Sequence, residues 1–413
     1  MKFFLITIAC FISGSCFSQQ VLRPFPQHST YAEDVIVPNH ISQKELDDST
    51  VSFYAQWKQR YIKKSPCSDS YYIWAENAQK GNQCVSEGQG YGMIIVVLMS
   101  GPDGSAQQLF DGLFRYYKEH PSKRNSHLMS WAQTNDCHKF EKSSATDGDI
   151  DIAYSLLLAN AQWTSRGKIN YLQEAANIIH AIREQEVNAK FFNLLQSNSI
   201  ENDSRDYFDM RSSDFIPSEL RAFSILDSAK LWTKVIDANY QLFDYLQKTY
   251  SKGIGLVPDF IQNINRKPKP ARRFYLESKY DGIYNYNACR VPWRVATDYI
   301  VNGEKRAKEF VAPINEWIKE TSNNNPDNIS AGYTLVGDDL RSRNFEALSF
   351  ISSFAIAAMV DSKSQSWLNN LWDYIIQFKL GEFDYYDNSI KMLNLVILSH
   401  NYWAPSNAIA PAK

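Results

Sequence analysis

The chain has 413 residues, of which 44% are hydrophobic and 14% aromatic, and its 45 acidic and 43 basic side chains leave a net charge of −2. That balance, with no basic stripe, offers no basis for nucleic-acid binding, while the apolar fraction suffices for one large domain or two. No later apolar run can cross a bilayer: the best, Ile94–Met99, is far too short, so no stable membrane span is expected.

The N-terminus reads as a targeting segment. Lys2 supplies a charge, Phe3–Ile12 is a short apolar run, and small residues follow to Ser18. Residues 1–18 therefore read as a signal peptide with cleavage near Ser18/Gln19, implying a secreted or periplasmic protein. Lipidation at Cys16 is the rival, weakened by Ser13 where an aliphatic residue is usual. Export permits disulfides among Cys67, Cys84, Cys137 and Cys289; Cys67–Cys84 is the most local pairing, and connectivity stays open. Residues 19–42, rich in Pro and polar side chains, read as an extended arm.

From there residues 43–413 read as one domain of successive helices, at 43–62, 88–100, 105–119, 149–164, 168–187, 217–227, 228–251, 292–303, 304–321, 344–360, 364–379 and 386–402. Leu231, Val235, Ile236, Tyr240, Phe243 and Leu246 show the three-and-four spacing, and Gly101, Gly167 and Gly253 supply stops. Gly92–Ser100 and Phe350–Val360 are apolar nearly all round, which marks helices buried on more than one face. The expected fold is all-α, six inner helices ringed by six outer ones, an (α/α)6 barrel. A solenoid is the rival, but no repeat of fixed period supports it. Long loops are left at 64–87, 120–148, 252–291 and 322–343, where functional residues are expected.

Three constellations carry chemistry. Ser86-Glu87-Gly88-Gln89-Gly90-Tyr91-Gly92-Met93 is read either as a helix start with a Ser86/Gln89 capping box or as a general acid, Glu87, among glycines that admit a ligand. Asp147-Gly148-Asp149-Ile150-Asp151 sets three carboxylates in a turn before an apolar helix. A calcium loop is ruled out there by Ile152 and Leu158 at the required Gly and Glu positions, so one acid is expected to cap the helix and at least one of Asp149 and Asp151 to face a cavity. The third runs from Phe274–Asp281, with Glu277, to Tyr286–Arg294, where Arg290 and Arg294 bracket Pro292 and could grip carboxylates bidentately or serve as structural ion pairs. Concentrated acids in an aromatic-rich exported chain suggest acid/base chemistry on a sugar polymer. Core packing explains most of the 24 Tyr, 23 Phe and 10 Trp, though flat rings also suit a sugar-stacking cleft. His/Cys spacing for a metal is lacking, and no metal or cofactor is expected.

At these residues the chain resembles glycoside hydrolase family 8. Ala-Thr-Asp-Gly-Asp-x-Asp-Ile-Ala-Tyr-Ser-Leu-Leu-Leu-Ala at 145–159, Ser-Glu-Gly-x-Gly-Tyr-Gly-Met at 86–93 and Arg-x-Pro-Trp-Arg at 290–294 match in the family's order across about two hundred residues. The resemblance implies the (α/α)6 barrel and an inverting endo-hydrolase of β-linked glycans, with Glu87 as proton donor, Asp147 binding the distorted sugar and Trp131 as aromatic platform. The family's best-known branch has an aspartate base where this chain has Asn287. A branch with chitosanases and lichenases has Asn there and takes its base from a glutamate in a preceding loop, which here is Glu277, with Asp281 as fallback.

The expected catalytic set is thus Glu87, Asp147 and Glu277, and the substrate-binding set Trp131, Asp149, Tyr286, Asn287, Arg290 and Arg294. The expected partner is a β-1,4-linked polysaccharide, chitosan and/or β-1,3-1,4-glucan or cellulose before xylan, acted on by a monomer. Extra cleft acids such as Asp136, Asp149 or Asp281 would favour cationic chitosan. The rivals are a glycan-binding protein that lost its base and, more weakly, a polysaccharide lyase, which would want a basic cleft.

Overall fold

The computed structural model describes residues 21–76, 82–134, 136, 141–340 and 347–405. Among them run twelve helices: α1 (Gln43–Tyr61), α2 (Ser86–Leu98), α3 (Ala106–Glu119), α4 (Thr146–Trp163), α5 (Tyr171–Gln185), α6 (Pro217–Phe223), α7 (Ala229–Tyr250), α8 (Val291–Asn302), α9 (Lys305–Thr321), α10 (Leu348–Ala358), α11 (Gln365–Gln377) and α12 (Tyr385–Leu398). Each answers one expected span. Two starts differ in a way that matters. α2 begins at Ser86 rather than residue 88, and α4 at Thr146 rather than residue 149, so Glu87 and Asp147 stand in first helical turns, not in preceding loops.

The even-numbered helices pack on one another in order: α2 on α4, α4 on α6, α6 on α8, α8 on α10, α10 on α12 and α12 on α2. Each odd-numbered helix lies against an even one, with α1 on α12 and α3, α5, α7, α9 and α11 on the helices before them. Burial follows this division. α2, α4, α10 and α12 are buried almost all round, whereas α1, α3, α5 and α7 bury one face and wet the other. Trp57, Trp163, Trp232, Trp367 and Trp372 are among the largest fully buried side chains.

Some helices carry polar caps: Ser42 forms a capping box with Glu45 at α1, Ser228 caps α7 and Asp384 caps α12. At α2, α4 and α10 the N-cap residue gives no side-chain hydrogen bond, and first-turn amides find other partners: Ser86 N donates to Trp131 O, Gly148 N to Asp147 Oδ1 and Ser349 N to Asp387 Oδ1. Residues 21–42 form the extended arm expected. It is fastened where the inner helices end: Leu22 N donates to Gln162 O, Phe25 N to Ser100 O, Ser29 N to His400 O, Ala32 N to Ile300 O and Ile36 N to Met359 O. The arm thereby covers the C-terminal ends of α4, α2, α12, α8 and α10 and leaves the opposite end for the cleft.

The segments expected to lack structure hold short antiparallel strands. β1 (Ile62–Lys64) pairs with β2 (Tyr71–Ile73), and β3 (Asn82–Val85) with β4 (Ala132–Thr134). β5 (Met210–Arg211), β6 (Phe260–Gln262) and β7 (Lys269–Pro270) form a three-stranded sheet. Backbone donors in such buried connections need partners, and the ladders supply them. A fifth long connection, residues 186–216 between α5 and α6, was not anticipated.

The local disulfide expectation fails. Cys84 is a free buried thiol, while Cys67 is disulfide-bonded. Cys84 sits in β3 against Gln89, to whose Oε1 its thiol donates at 3.4 Å. The expected signal peptide and Cys16, as well as Cys137, lie outside the described residues. No helix among the described residues is long and apolar enough to cross a membrane.

Candidate active site

The site grows out of the contact between α2 and α4. Gly90 and Gly148 let the two backbones touch: a Cβ on Gly90 would sit 2.5 Å from Asp151 Cβ, and one on Gly148 would sit 2.5 Å from Ser86 Oγ and 2.7 Å from its carbonyl carbon. Those glycines bring the first turns of both helices, and so Glu87 and Asp147, to one place. Gln89 does not close a capping box. Its amide donates to Leu113 O at 2.9 Å and accepts from Ile73 N at 3.0 Å, tying α2 to α3 and β2. Nor does an aspartate cap α4, whose N-cap is Ala145.

A cleft of about 560 Å³ opens over these turns. Glu87, Trp131, Asp147, Arg211, Glu277 and Arg290 line it, with Tyr275, Asn287 and Tyr385. Strand pairing sets Trp131 there. Its carbonyl accepts from Ser86 N at 2.9 Å as β4 runs beside β3, one residue from Glu87. The volume is ordinary for a small-molecule or oligomer site.

Arg290 holds the cleft together. Its Nη1 donates to Glu87 Oε2 at 2.6 Å and Asp147 Oδ2 at 2.8 Å, and its Nη2 to Asn287 Oδ1 at 3.0 Å and Ser213 Oγ at 2.7 Å. It spans two acids rather than gripping one bidentately. Tyr385 donates to the other Glu87 oxygen at 3.0 Å. Burial raises the Glu87 carboxyl above its ordinary range; Arg290 opposes this and nearby Asp147 adds to it. Asp147 is buried too, which would raise it, but Arg290 and Arg211 together outweigh burial and hold it lowered. Two adjacent acids with opposed shifts are the arrangement from which a proton donor and a permanent anion are made.

Glu277 enters from the loop after β7. Its Oε2 accepts from Asn287 Nδ2 at 2.8 Å, and its Oε1 lies 3.5 Å from Arg211 Nη2. Its side chain is 46% exposed, open to water from the cleft. Asp281, the fallback base, is a loop organiser. It is buried, and its carboxylate accepts from the backbone amides of Leu276, Glu277 and Ser278 at 2.7–3.0 Å, which leaves no free edge for water.

Three expected substrate contacts are not in the cleft. Asp149 is fully buried: Met129 N donates to its Oδ1 at 2.8 Å, and it faces Glu186, with burial raising it to about 8. Asp151 is likewise buried, so neither acid faces the cavity, because a helix that starts at Thr146 turns Asp147 that way instead. Arg294 is buried between Asp151 at 2.6 Å and Glu219 at 3.0 Å, which is structural ion pairing. The Tyr286 ring packs edge-on against Phe350 and Tyr386, and the Tyr386 hydroxyl donates to the Tyr286 carbonyl. Conversely, the sequence reading missed Arg211 and Tyr385. Tyr385 lies one residue before the expected helix 386–402, a weak signal; Arg211 had none.

A sugar-sized cleft with a buried acid, an anion beside it and a water-exposed carboxylate, over a core of packed helices, is that of a carbohydrate-cleaving enzyme. The family model for glycosyl hydrolases family 8 matches residues 30–400, and the chain belongs to that family of glycoside hydrolases. It is 41% identical over 387 residues to a beta-glucanase of Niallia circulans, across 92% of this chain and 91% of that one. It is 38% identical over 395 residues to an endoglucanase of Bacillus sp. (strain KSM-330), across 93% and 82% of the two. Among solved structures, the apo β-1,3-1,4-glucanase from Paenibacillus sp. X4 is 40% identical with a TM-score of 0.88, covering 93% of this chain and 99% of that one. A reducing-end-xylose releasing exo-oligoxylanase, 16% identical with a TM-score of 0.71, shares the fold.

Proposed function

We propose that this chain is an exported, inverting endo-hydrolase of β-1,3-1,4-glucan built on an (α/α)6 barrel, with Glu87 as general acid and Glu277 as general base. The order of packing among the even-numbered helices, ending with α12 on α2, supports the barrel. The disulfide at Cys67 supports an oxidising compartment. The names of relatives near 40% identity support the glucan.

The observation that carries the mechanism is the link Glu87–Arg290–Asn287–Glu277, which joins both carboxyls to one cleft without letting them touch. Glu87, its carboxyl raised by burial, gives its proton to the glycosidic oxygen as the anomeric C–O bond breaks. Glu277 takes a proton from a water whose oxygen bonds to the anomeric carbon from the opposite face. Asp147, anionic beside Arg290 and Arg211, accepts hydrogen bonds from the distorted sugar. Inversion needs carboxyls about 6.5–9.5 Å apart, with room for that water.

Chitosan is the second reading. Asp149 and Asp281, two acids that would draw a polycation, are buried away from the cleft, Asp136 is not among its lining residues, and Arg211 and Arg290 offset acids that remain. A neutral glucan fits that balance better. The deciding experiment is reducing-end release from barley β-glucan beside soluble chitosan, with Glu87→Gln as control, and the first-formed anomer read by NMR. Release from β-glucan as the α-anomer, lost in the control, is the expected result. Binding of oligosaccharide without release would instead identify a glycan-binding protein.

A further inference from the structure

Arg211 lines the cleft, and the mechanism above gives it only a share in holding Asp147 anionic. β5 pairs with β6 so that Arg211 lies opposite Phe260, over whose ring the guanidinium sits at 5.6 Å. Its side chain is 14% exposed. From there it reaches three acids: Glu277 Oε1 at 3.5 Å, Asp147 Oδ1 at 3.7 Å and Asp214 Oδ1 at 3.7 Å. Asp147 has a closer partner in Arg290, which donates to that carboxylate at 2.8 Å, with Arg211 adding to its charge balance from 3.7 Å. Asp214 is fully buried behind Arg211, and neither of its oxygens has a hydrogen-bond partner in the structure. Glu277 is different: it stands on a loop, half exposed, with the neutral Asn287 amide on one oxygen and Arg211 on the other.

We propose that Arg211, seated on Phe260 and backed by Asp214, is a positioning residue that fixes Glu277 as the base. The inference rests on the reading of Glu277 given above. Asn287 hydrogen-bonds one oxygen and the Arg211 charge lies 3.5 Å from the other, so together they bias the carboxylate plane. With only Asn287, the carboxylate could turn about that single hydrogen bond and lose its aim at the water. Misplacement of a catalytic group by about 1 Å can cost up to a hundredfold in rate.

The test compares Arg211→Met in two backgrounds of the full chain on barley β-glucan. In the otherwise unchanged enzyme, the expected result is a kcat lower by about tenfold or more, with KM changed by less than about threefold, and substantial recovery in Arg211→Lys. In Glu277→Ala, azide replaces the activated water: its nitrogen bonds to the anomeric carbon from the α face, the C–O bond breaks, and Glu87 protonates the leaving oxygen. There Arg211→Met is expected to change the azide-dependent rate by less than about threefold, since the group it positions is gone. An equal loss in both backgrounds, or a KM rise with kcat kept, would overturn the proposal and make Arg211 a sugar contact or a support of Asp147. If azide fails to rescue Glu277→Ala, the base assignment falls, and the positioning role with it, whatever Arg211→Met does. Should Arg211→Met fail to fold, judged by its melting curve, Arg211→Lys carries the same comparison with a smaller expected loss.

Discussion

The Asn287 side-chain amide donates to Glu277 Oε2 at 2.8 Å, across ten residues of chain, while its carbonyl oxygen accepts from Arg290. An amide cannot take a proton, but it can present a carboxylate that does. Glu277→Gln should therefore lower kcat by about a hundredfold to ten-thousandfold while leaving glucan binding in place, the usual range for loss of a general base. Asn287→Asp sets two carboxylates within hydrogen-bond reach and should slow the enzyme by making them share a proton. Steady-state kinetics on β-glucan measure both; unchanged kcat in Glu277→Gln would remove it from the reaction.

With Glu87 as the proposed proton donor, its raised carboxyl should set the alkaline side of the pH profile: it must stay protonated, so kcat/KM should fall as pH rises through its pKa. Part of its upward shift comes from Asp147. Asp147→Asn removes that neighbouring charge and should move the alkaline limb to lower pH, besides lowering the rate. A limb that stays put in the kcat/KM profile would mean that another group donates the proton.

Asp149 predicts a stability change rather than a rate change. Its folded pKa of about 8, raised chiefly by burial, lies far above the ordinary value of 3.8. The folded state thus binds the extra proton, and the stability this gives is full below about pH 4 and is lost as pH rises towards 8. Asparagine can still accept from Met129 N and can donate to Glu186 with no charge to bury. Asp149→Asn should therefore melt higher than the parent at pH 8 by more than it does at pH 5. Thermal melts at the two pH values check this; a difference independent of pH would mean that Asp149 does not hold its proton in the folded state.

Gly148→Ala should separate the acid from its partner. A Cβ there meets the Ser86 backbone at 2.7 Å, which cannot move without shifting the start of α2. Overpacking of this kind costs about 1–3 kcal/mol, and the displaced Glu87 should cost activity beyond what the lower melting temperature explains. Activity measured well below that melting temperature separates the two effects; a stable, fully active variant would show that the two backbones have slack.

Sequence by itself determined the number and order of the helices, because apolar spacing at three and four residues, or apolar runs throughout, survive in any arrangement that buries them. It also picked out Glu87, Asp147, Glu277, Asn287, Arg290 and Trp131, all of which line one cleft. Their motifs are local, and local glycines and carboxylates are what make them recognisable. What only the tertiary structure decided is which acids face the ligand. The three aspartates of α4 share one sequence pattern, yet the helix starts at Thr146 and turns Asp147 to the cleft while Asp149 and Asp151 go to buried partners, Glu186 and Arg294. Arg294 went to buried ion pairs and Tyr286 to a partly buried place against Phe350 and Tyr386 for the same reason, since a helix or turn exposes only part of its circumference. Arg211 was invisible beforehand. Its partners lie 64, 66 and 3 residues away, at Asp147, Glu277 and Asp214, and only tertiary packing brings the two distant ones within reach.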